Sequence, residues 1–303
     1  LEKKDFFDNL IFYKGDIRDK NLLKKVFSDV HKRGEYISSV IHFAGLKSVE
    51  ESVINPLLYW NNNLIGSLIL FSVMEEYQCR SIVFSSSATI YKKNDGQLLN
   101  ENFDLIPSNP YGETKLAIEK VLSNLIQSYE KWKIANLRYF NPIGAHPSGL
   151  IGENPLNVPN NLFPYICKVA TGEYSELKIF GNDWPTRDGT CIRDYIHVMD
   201  LAEAHYKAIL FLENNRSQMI NLNIGTGKGS TVMELVNTFM KVNKCKIPFT
   251  FKSRRNGDIT SLVADNKLVK EKLNWMPQND LSEMCRDGWN WQKNNPNGFN
   301  SRF

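Results

Sequence analysis

The sequence predicts an α/β protein: a doubly wound parallel sheet with helices on both faces, followed by a smaller mixed α/β region. Three observations carry this. Short apolar runs near 10–17, 37–44, 81–86 and 134–140 alternate with longer segments of helical periodicity. After Asn141 the texture changes, residues 142–161 being rich in Pro, Gly and Asn as at a long ordered loop or crossover. And 303 residues lie near the size at which chains divide into two units. The expected division is 1–141 and 142–303, with later segments such as 181–225 returning to the first part.

In order, Leu10-Ile11-Phe12-Tyr13 reads as a first strand closing on Gly15-Asp16-Ile17. Residues 21–32 form an amphipathic helix with Leu22, Leu23, Val26, Phe27 and Val30 on one side. A strand over 37–44 breaks at Gly45. A long helical region over 49–77 contains Pro56, which marks a start or kink. The strand 81–86 ends in hydroxyls, a helix opens at Pro110, and a strand covers 134–140. Beyond the loop, helices are expected at 162–171, 198–213, 231–242, 266–273 and 281–291. Strands are expected at 177–180, 219–224 and 248–251, and 182–193 is irregular.

The chemistry gathers at Pro110-Tyr111-Gly112-Glu113-Thr114-Lys115. Tyr111 and Lys115, four apart, share one helix face. Ile118, Leu122 and Leu125 continue an apolar stripe that includes Lys115. An ammonium beside a phenol favours phenolate, so a Tyr111 pKa drawn down from its usual ~10 is expected. Spacing alone decides nothing, because Tyr129/Lys133 and Tyr174/Lys178 repeat it. Context separates the first pair: a strand ending in Ser85-Ser86-Ser87 precedes it, and ligands of open α/β sheets bind at such strand tips.

Other groups admit two roles each. Asp16 can meet an adenine ribose or cap a helix. His42-Phe43-Ala44-Gly45-Leu46-Lys47 allows close backbone approach to a ligand or makes a plain turn. Arg193, Arg255 and Asp258 suit a diphosphate or an ordinary surface.

A formal charge of +4, with 42% hydrophobic and 23% charged residues, argues against nucleic acid. Five scattered cysteines form no Cys-x-x-Cys, so neither a metal site nor a disulfide framework is expected, and a reducing cytoplasmic setting is the default. No membrane partner or signal peptide is expected. The chain opens on Leu, from which an incomplete N-terminus is expected.

The sequence closely resembles the UDP-glucose (UDP-galactose) 4-epimerases of the extended short-chain dehydrogenase/reductase superfamily over essentially its whole length. The resemblance rests on the stretches 12–18, 42–47, 85–89 and 111–115, on Arg138-Tyr139-Phe140-Asn141-Pro142, and on Gly144-Ala145-His146-Pro147. It continues in Pro159-Asn160-Asn161-Leu162, Arg193-Asp194-Tyr195-Ile196-His197 and Arg254-Arg255-Asn256-Gly257-Asp258.

It implies a Rossmann-like fold, NAD as cofactor, a UDP-hexose substrate and a homodimer through the helices around 49–77 and 111–129. It implies Tyr111 as proton acceptor for the sugar 4-hydroxyl, Ser87 as its hydrogen-bonding partner, and Lys115 as the group that holds the nicotinamide ribose and lowers the Tyr111 pKa. Asp16, Ile17, Phe43, Ala44, Gly45, Lys47, Asn63 and Phe140, with Tyr111 and Lys115, are the implied NAD contacts. Ser87, Asn141, Asn161, Leu162, Phe180, Arg193, Arg255, Asp258 and Leu262 are the implied UDP-sugar contacts. Where Leu262 stands, the family's tyrosine accompanies restriction to the unsubstituted hexoses, and smaller residues accompany N-acetylated ones.

The family opens with a Gly-rich strand–turn–helix unit that these residues do not include. The polypeptide as it stands is therefore expected neither to retain NAD nor to turn over. A nucleotide-sugar dehydratase is the nearest rival, but its Asp-Glu pair is replaced by Ala88-Thr89. A non-catalytic relative of the fold would tend to lose the Tyr/Lys pair.

Overall fold

The computed structural model describes residues 10–93, 96–155, 159, 161–255 and 258–301. Asn9, Asn160 and Asn256-Gly257, parts of the expected first strand and of two motifs above, lie outside the described residues.

Residues 10–17 do not form the expected first strand. No ladder partner lies beside them among the described residues, and Leu10, Ile11 and Phe12 are exposed. A short apolar run needs a neighbouring strand to satisfy its backbone, so here it stays irregular. Asp16 thus ends no strand. Helix α1 (Lys20–His31) is capped instead by Asp19, whose carboxylate accepts from the backbone N–H groups of Asn21 and Leu22, both at 3.0 Å.

Strand β1 (Val40–His42) is followed by α2 (Val49–Ile54), α3 (Pro56–Tyr59), a π-helical turn (Trp60–Ile65) and α4 (Gly66–Glu76). Pro56 starts α3 because its missing N–H costs nothing in a first turn. By length and composition alone Pro56–Glu76 could cross a membrane. The search for a long apolar run missed it because Asn61, Asn62 and Asn63 interrupt the pattern. Its inner face, Leu70, Phe71, Val73 and Met74, is buried in the core.

Next come β2 (Ser81–Ser87), a 3₁₀ turn (Ala88–Ile90), α5 (Pro110–Ser128), β3 (Lys133–Tyr139) and β4 (Asn141–Ile143). The second half adds α6 (Leu162–Ala170), β5 (Leu177–Phe180), β6 (Ile192–Arg193), β7 (Tyr195–His197) and α7 (Val198–Asn214). It ends with β8 (Gln218–Ile224), β9 (Ser230–Thr231), α8 (Val232–Asn243), β10 (Phe249–Lys252), β11 (Ser261–Leu262), α9 (Lys267–Leu273) and α10 (Leu281–Asn294).

The main sheet has the order β1-β2-β3-β8, every pairing parallel, so residues 218–224 return to the first half's sheet. Every residue of β2 is buried, as a central strand covered on both faces requires. Alternation divides it. Ile82 and Phe84 join Leu70, Phe71, Ile118 and Leu122 of α4 and α5, while Val83 joins Leu201, Ala204 and Leu212 of α7. Each such buried side chain contributes about 1.5–3 kcal/mol, enough to fix which face of α5 looks at the sheet. A separate core holds α6, α8 and α10 around Ile143, Phe163, Phe239 and Met284.

Two short parallel ladders place the later residues. Asn141 pairs with Tyr195 across β4 and β7, and Leu262 pairs with Arg193 across β11 and β6.

Candidate active site

Helix α5 begins where the chemistry requires. The Asn109 side chain accepts from the Gly112 N–H at 2.9 Å, and Pro110 follows as the first helical residue. Gly112 is dictated by contact: a Cβ there would lie 2.7 Å from the Thr89 carbonyl oxygen. The absence of that carbon lets the helix start close against the 3₁₀ turn after Ser87.

Lys115 is 4% exposed. Its Nζ donates to the Ser85 carbonyl at 2.6 Å and lies 4.9 Å from the Phe84 ring centroid and 5.9 Å from that of Tyr111. Burial draws its pKa down from the ordinary lysine value to about 8, opposed by the Glu119 carboxylate. His42, also buried, is held neutral, its pKa lowered to about 3 by burial and by the Lys115 charge.

Tyr111 differs from expectation. Its pKa is raised by burial, and only its hydrogen bond with Ser87 works in the opposite direction. The reason is visible in Lys115, which spends its shortest contact on the Ser85 carbonyl. The expected depression therefore does not come from Lys115 in this geometry. Ser87 in turn accepts from the Thr89 backbone N–H at 3.2 Å and hydroxyl at 3.0 Å, which leaves its own hydrogen to point elsewhere.

Several implied cofactor residues gather at the same strand ends. Phe43, Ala44, Gly45 and Lys47 form an exposed lip after β1, with Phe43 58% exposed. A Cβ on Gly45 would lie 3.3 Å from Asn63 Oδ1 and 3.7 Å from Lys115 Nζ, so the glycine keeps the approach to Lys115 open. An open lip, small at Ala44 and Gly45 and carrying the Phe43 ring, which rests on His205 at 4.8 Å and stays more than half exposed, fits a flat nicotinamide–ribose end. Lys47 meets Glu153 of the crossover loop at 2.9 Å.

Asn63 holds this lip. Its Oδ1 accepts from the Leu46 N–H at 2.7 Å, and its Nδ2 donates to the Leu46 carbonyl at 3.0 Å and to Thr114 Oγ1 at 3.1 Å. The π turn containing Asn63 thus clamps the lip to α5, in keeping with the frequency of such turns at functional sites. Phe140 is buried beside Ala88 and Leu116, under the site. Asp16 is exposed and paired with Arg18, which holds its carboxyl down at about 2. Ile17 packs on the core that contains α4.

The nucleotide end is built differently. Arg193 donates to the Ile192 and Ile259 carbonyls at 2.8 and 3.0 Å and meets Asp258 at 3.4 Å. The Arg255 guanidinium lies 3.9 Å from the Phe180 ring centroid. Asn141 Oδ1 is buried with no hydrogen-bond partner among the described residues, an acceptor that suits a polar substrate group. Asn161 precedes α6 without a side-chain capping bond, and Leu162 begins that helix. Leu262 packs against the cluster containing Ala88 and Leu116, which joins this end to the Tyr111 helix.

Sequence reasoning missed Thr89, Glu119, Arg138, Tyr139 and His205. Tyr139, at the tip of β3, hydrogen-bonds His205 and Ser85. His205 Nδ1 faces the Leu201 carbonyl at 2.8 Å, so that nitrogen carries the proton and Nε2 accepts from Tyr139. The signal was present, since Tyr139 lies inside a recognised stretch.

Comparison with known proteins agrees with this geometry. Residues 1–288 match the family model described as GDP-mannose 4,6 dehydratase. UDP-glucose 4-epimerase 2 of Arabidopsis thaliana is 48% identical over 294 residues, covering 97% of this chain and 83% of the relative. The chain belongs to the UDP-glucose 4-epimerase family. The Stenotrophomonas maltophila UDP-glucose 4-epimerase, crystallised with NAD and formylated UDP-arabinopyranose, superposes with a TM-score of 0.89 at 43% identity, covering 94% of this chain and 83% of that one. The Bifidobacterium longum enzyme, in complex with NAD+ and UDP, gives 0.88 at 42%, covering 95% and 84%. The family membership decides for epimerisation over the rival dehydratase reading, as Ala88-Thr89 suggested.

Proposed function

We propose that these residues, together with the family's Gly-rich N-terminal unit, interconvert UDP-glucose and UDP-galactose by oxidation and re-reduction at C4, with NAD as a bound cofactor; the NAD-loaded protein of the tests below carries that unit. The observation that carries this is the convergence of Tyr111, Ser87 and Lys115 at the strand tips, with Leu262, the ladder partner of Arg193, packed in the apolar cluster that holds Ala88 and Leu116 beside them. Bound NAD supplies a hydride acceptor and donor at C4. Tyr111 Oη accepts the 4-hydroxyl proton, and Ser87 Oγ, oriented by Thr89, donates to the reacting oxygen. Lys115 holds positive charge beneath them. Because burial raises the Tyr111 pKa, a second positive charge beside Tyr111 would favour its phenolate, and a bound oxidised nicotinamide would supply one. Phe43, Ala44, Gly45 and Lys47 would hold the cofactor's nicotinamide half. Arg193, Arg255 and Asp258 would hold the diphosphate and sugar, and Phe180 and Asn141 would complete the nucleotide site. After oxidation the 4-keto sugar turns over in the pocket, and Tyr111 returns the proton on the way back.

The test is product analysis on NAD-loaded protein supplied with UDP-galactose. UDP-glucose alone is expected; a 4-keto-6-deoxy sugar would replace this reading with elimination.

Substrate width rests on Leu262, which removes a ring and a hydroxyl from the space beside Arg193. The N-acetylated UDP-hexoses are accepted too, less efficiently, because one pocket methylene is worth only about 1–3 kcal/mol. A homodimer is also part of this reading, supported by Val53, Ile54 and Leu57 exposed together on α2 and α3, Leu57 at 81%. Sedimentation of Leu57→Glu against wild type tests it. The free cysteines suit a reducing, cytoplasmic setting.

A further inference from the structure

Three successive residues of β2 are each tied to a side chain of α5. Ser85 takes Lys115 through its carbonyl, Ser87 bonds Tyr111, and Ser86 Oγ donates to Glu119 at 2.5 Å. Glu119 has no place in the proposed reaction, yet it is 5% exposed and lies one helical turn beyond Lys115. It is also the centre of a larger array. Arg138, 1% exposed, donates to its two oxygens at 3.1 and 2.7 Å. The same guanidinium reaches Tyr91 Oη at 2.9 Å and the Glu101 carbonyl at 3.2 Å. Tyr91 donates to Asn223 at 2.7 Å, and Asn223 donates to the Leu99 carbonyl at 2.8 Å. One carboxylate thus links α5, β2, β3, the turn after β2, and β8.

A buried ion pair is a poor source of stability, since apolar groups of equal volume serve as well or better. Its use here is geometric. We propose that Glu119 is a positioning residue for the reaction: by holding Ser86 and Arg138 it fixes the register between the serine-ended strand and the helix that carries Tyr111 and Lys115. This rests on the epimerase reading, in which the Ser87–Tyr111 geometry sets the proton transfer. Glu119 has an electrostatic share as well, because its carboxylate favours the Lys115 ammonium that burial opposes. The other groups around Lys115 are Tyr111 on its own helix, the Ser85 carbonyl on β2, neutral His42 on β1, and Asn63 in the π turn. From β3 come Arg138, and Tyr139 through Ser85 and Tyr111.

Two variants separate register from charge. Ser86→Ala removes the strand pin and keeps the ion pair. Glu119→Gln keeps volume and an acceptor for Ser86 but removes the charge. In NAD-loaded protein, Ser86→Ala is expected to lower kcat by roughly tenfold to a hundredfold, the scale of a sub-ångström to ångström misplacement, with KM for UDP-glucose and the pH profile unchanged. Glu119→Gln is expected to lower kcat as well and to move the alkaline limb of kcat to lower pH. The Lys115 titration, read by ¹³Cε NMR of labelled lysines and assigned with Lys115→Met, is expected to move the same way without any cofactor bound. A folded Ser86→Ala protein with wild-type kcat, or a folded Glu119→Gln protein with an unmoved Lys115 titration, overturns the proposal. Failure of wild type carrying the Gly-rich N-terminal unit to epimerise would instead overturn the functional reading and leave the NMR titration as the decisive result.

Discussion

The two ends of the site are built on opposite plans. At the sheet tips Lys115, Ser86, Glu119 and Arg138 are buried and bonded on several sides. At the nucleotide end Arg255 is exposed and held by stacking on Phe180, and Arg193 and Asp258 meet at a longer 3.4 Å. The chemical end is over-determined and the binding end is open. Proton transfer tolerates little displacement, so its groups need support from every side. A diphosphate brings its own charge and can order exposed arginines as it binds.

The largest break in this contrast is expected from Tyr111→Phe. Turnover should fall nearly to background while UDP binding, followed by calorimetry, stays intact. Tyr129→Phe and Tyr174→Phe should be nearly silent, since Tyr129 is exposed and Tyr174 packs against Tyr165 at 4.8 Å. A comparable loss in either would remove the Tyr111 assignment.

Arg255→Ala should act on the other coordinate. An expected rise in KM of roughly tenfold to a hundredfold, at little change in kcat, corresponds to the ~1.5–3 kcal/mol of a hydrogen bond to a charged group. If kcat fell instead and KM held, the arginine would belong to the chemical end.

A pH experiment tests the burial of the sheet tips. His42 titrates near 6.5 when unfolded but at about 3 when folded. Between these values the unfolded chain binds the extra proton, so stability falls as pH drops from about 6.5 toward 3. His42→Gln should flatten that part of the stability–pH curve by an amount on the order of 1–3 kcal/mol. Parallel curves for the two proteins would mean that His42 is solvated.

A change in specificity, with no loss of the reaction, is expected at Leu262→Tyr. The ratio of kcat/KM for UDP-N-acetylglucosamine to that for UDP-glucose should fall by roughly 10–200-fold. An unchanged ratio would take Leu262 out of the sugar pocket.

Sequence reading carried the elements with strong periodicity and clear ends: α5 opening at Pro110, the strand over 81–86, and the helices expected over 198–213 and 231–242, which are observed as Val198–Asn214 and Val232–Asn243. It failed at residues 10–17, where a short apolar run has no strand to pair with among the described residues. It named Tyr111, Lys115 and Ser87 because a helix spacing and a strand tip are local features. Glu119 and Arg138 escaped it because their pairing joins residues 19 apart whose charges look like ordinary surface in sequence. The direction of the Tyr111 shift escaped for the same reason: only coordinates show that Lys115 is engaged by the Ser85 carbonyl. Asn63 was named as a ligand contact, and its bonds to Leu46 and Thr114, which hold the lip after β1, were not legible because they join residues 17 and 51 apart.

The central claim is that the proton and the hydride at one sugar carbon leave and return within this site. UDP-galactose deuterated at C4, converted by NAD-loaded protein in ordinary water, tests it most directly. The account predicts UDP-glucose that retains the deuterium at C4, with Tyr111→Phe yielding almost none. Loss of the label to solvent during conversion would contradict it.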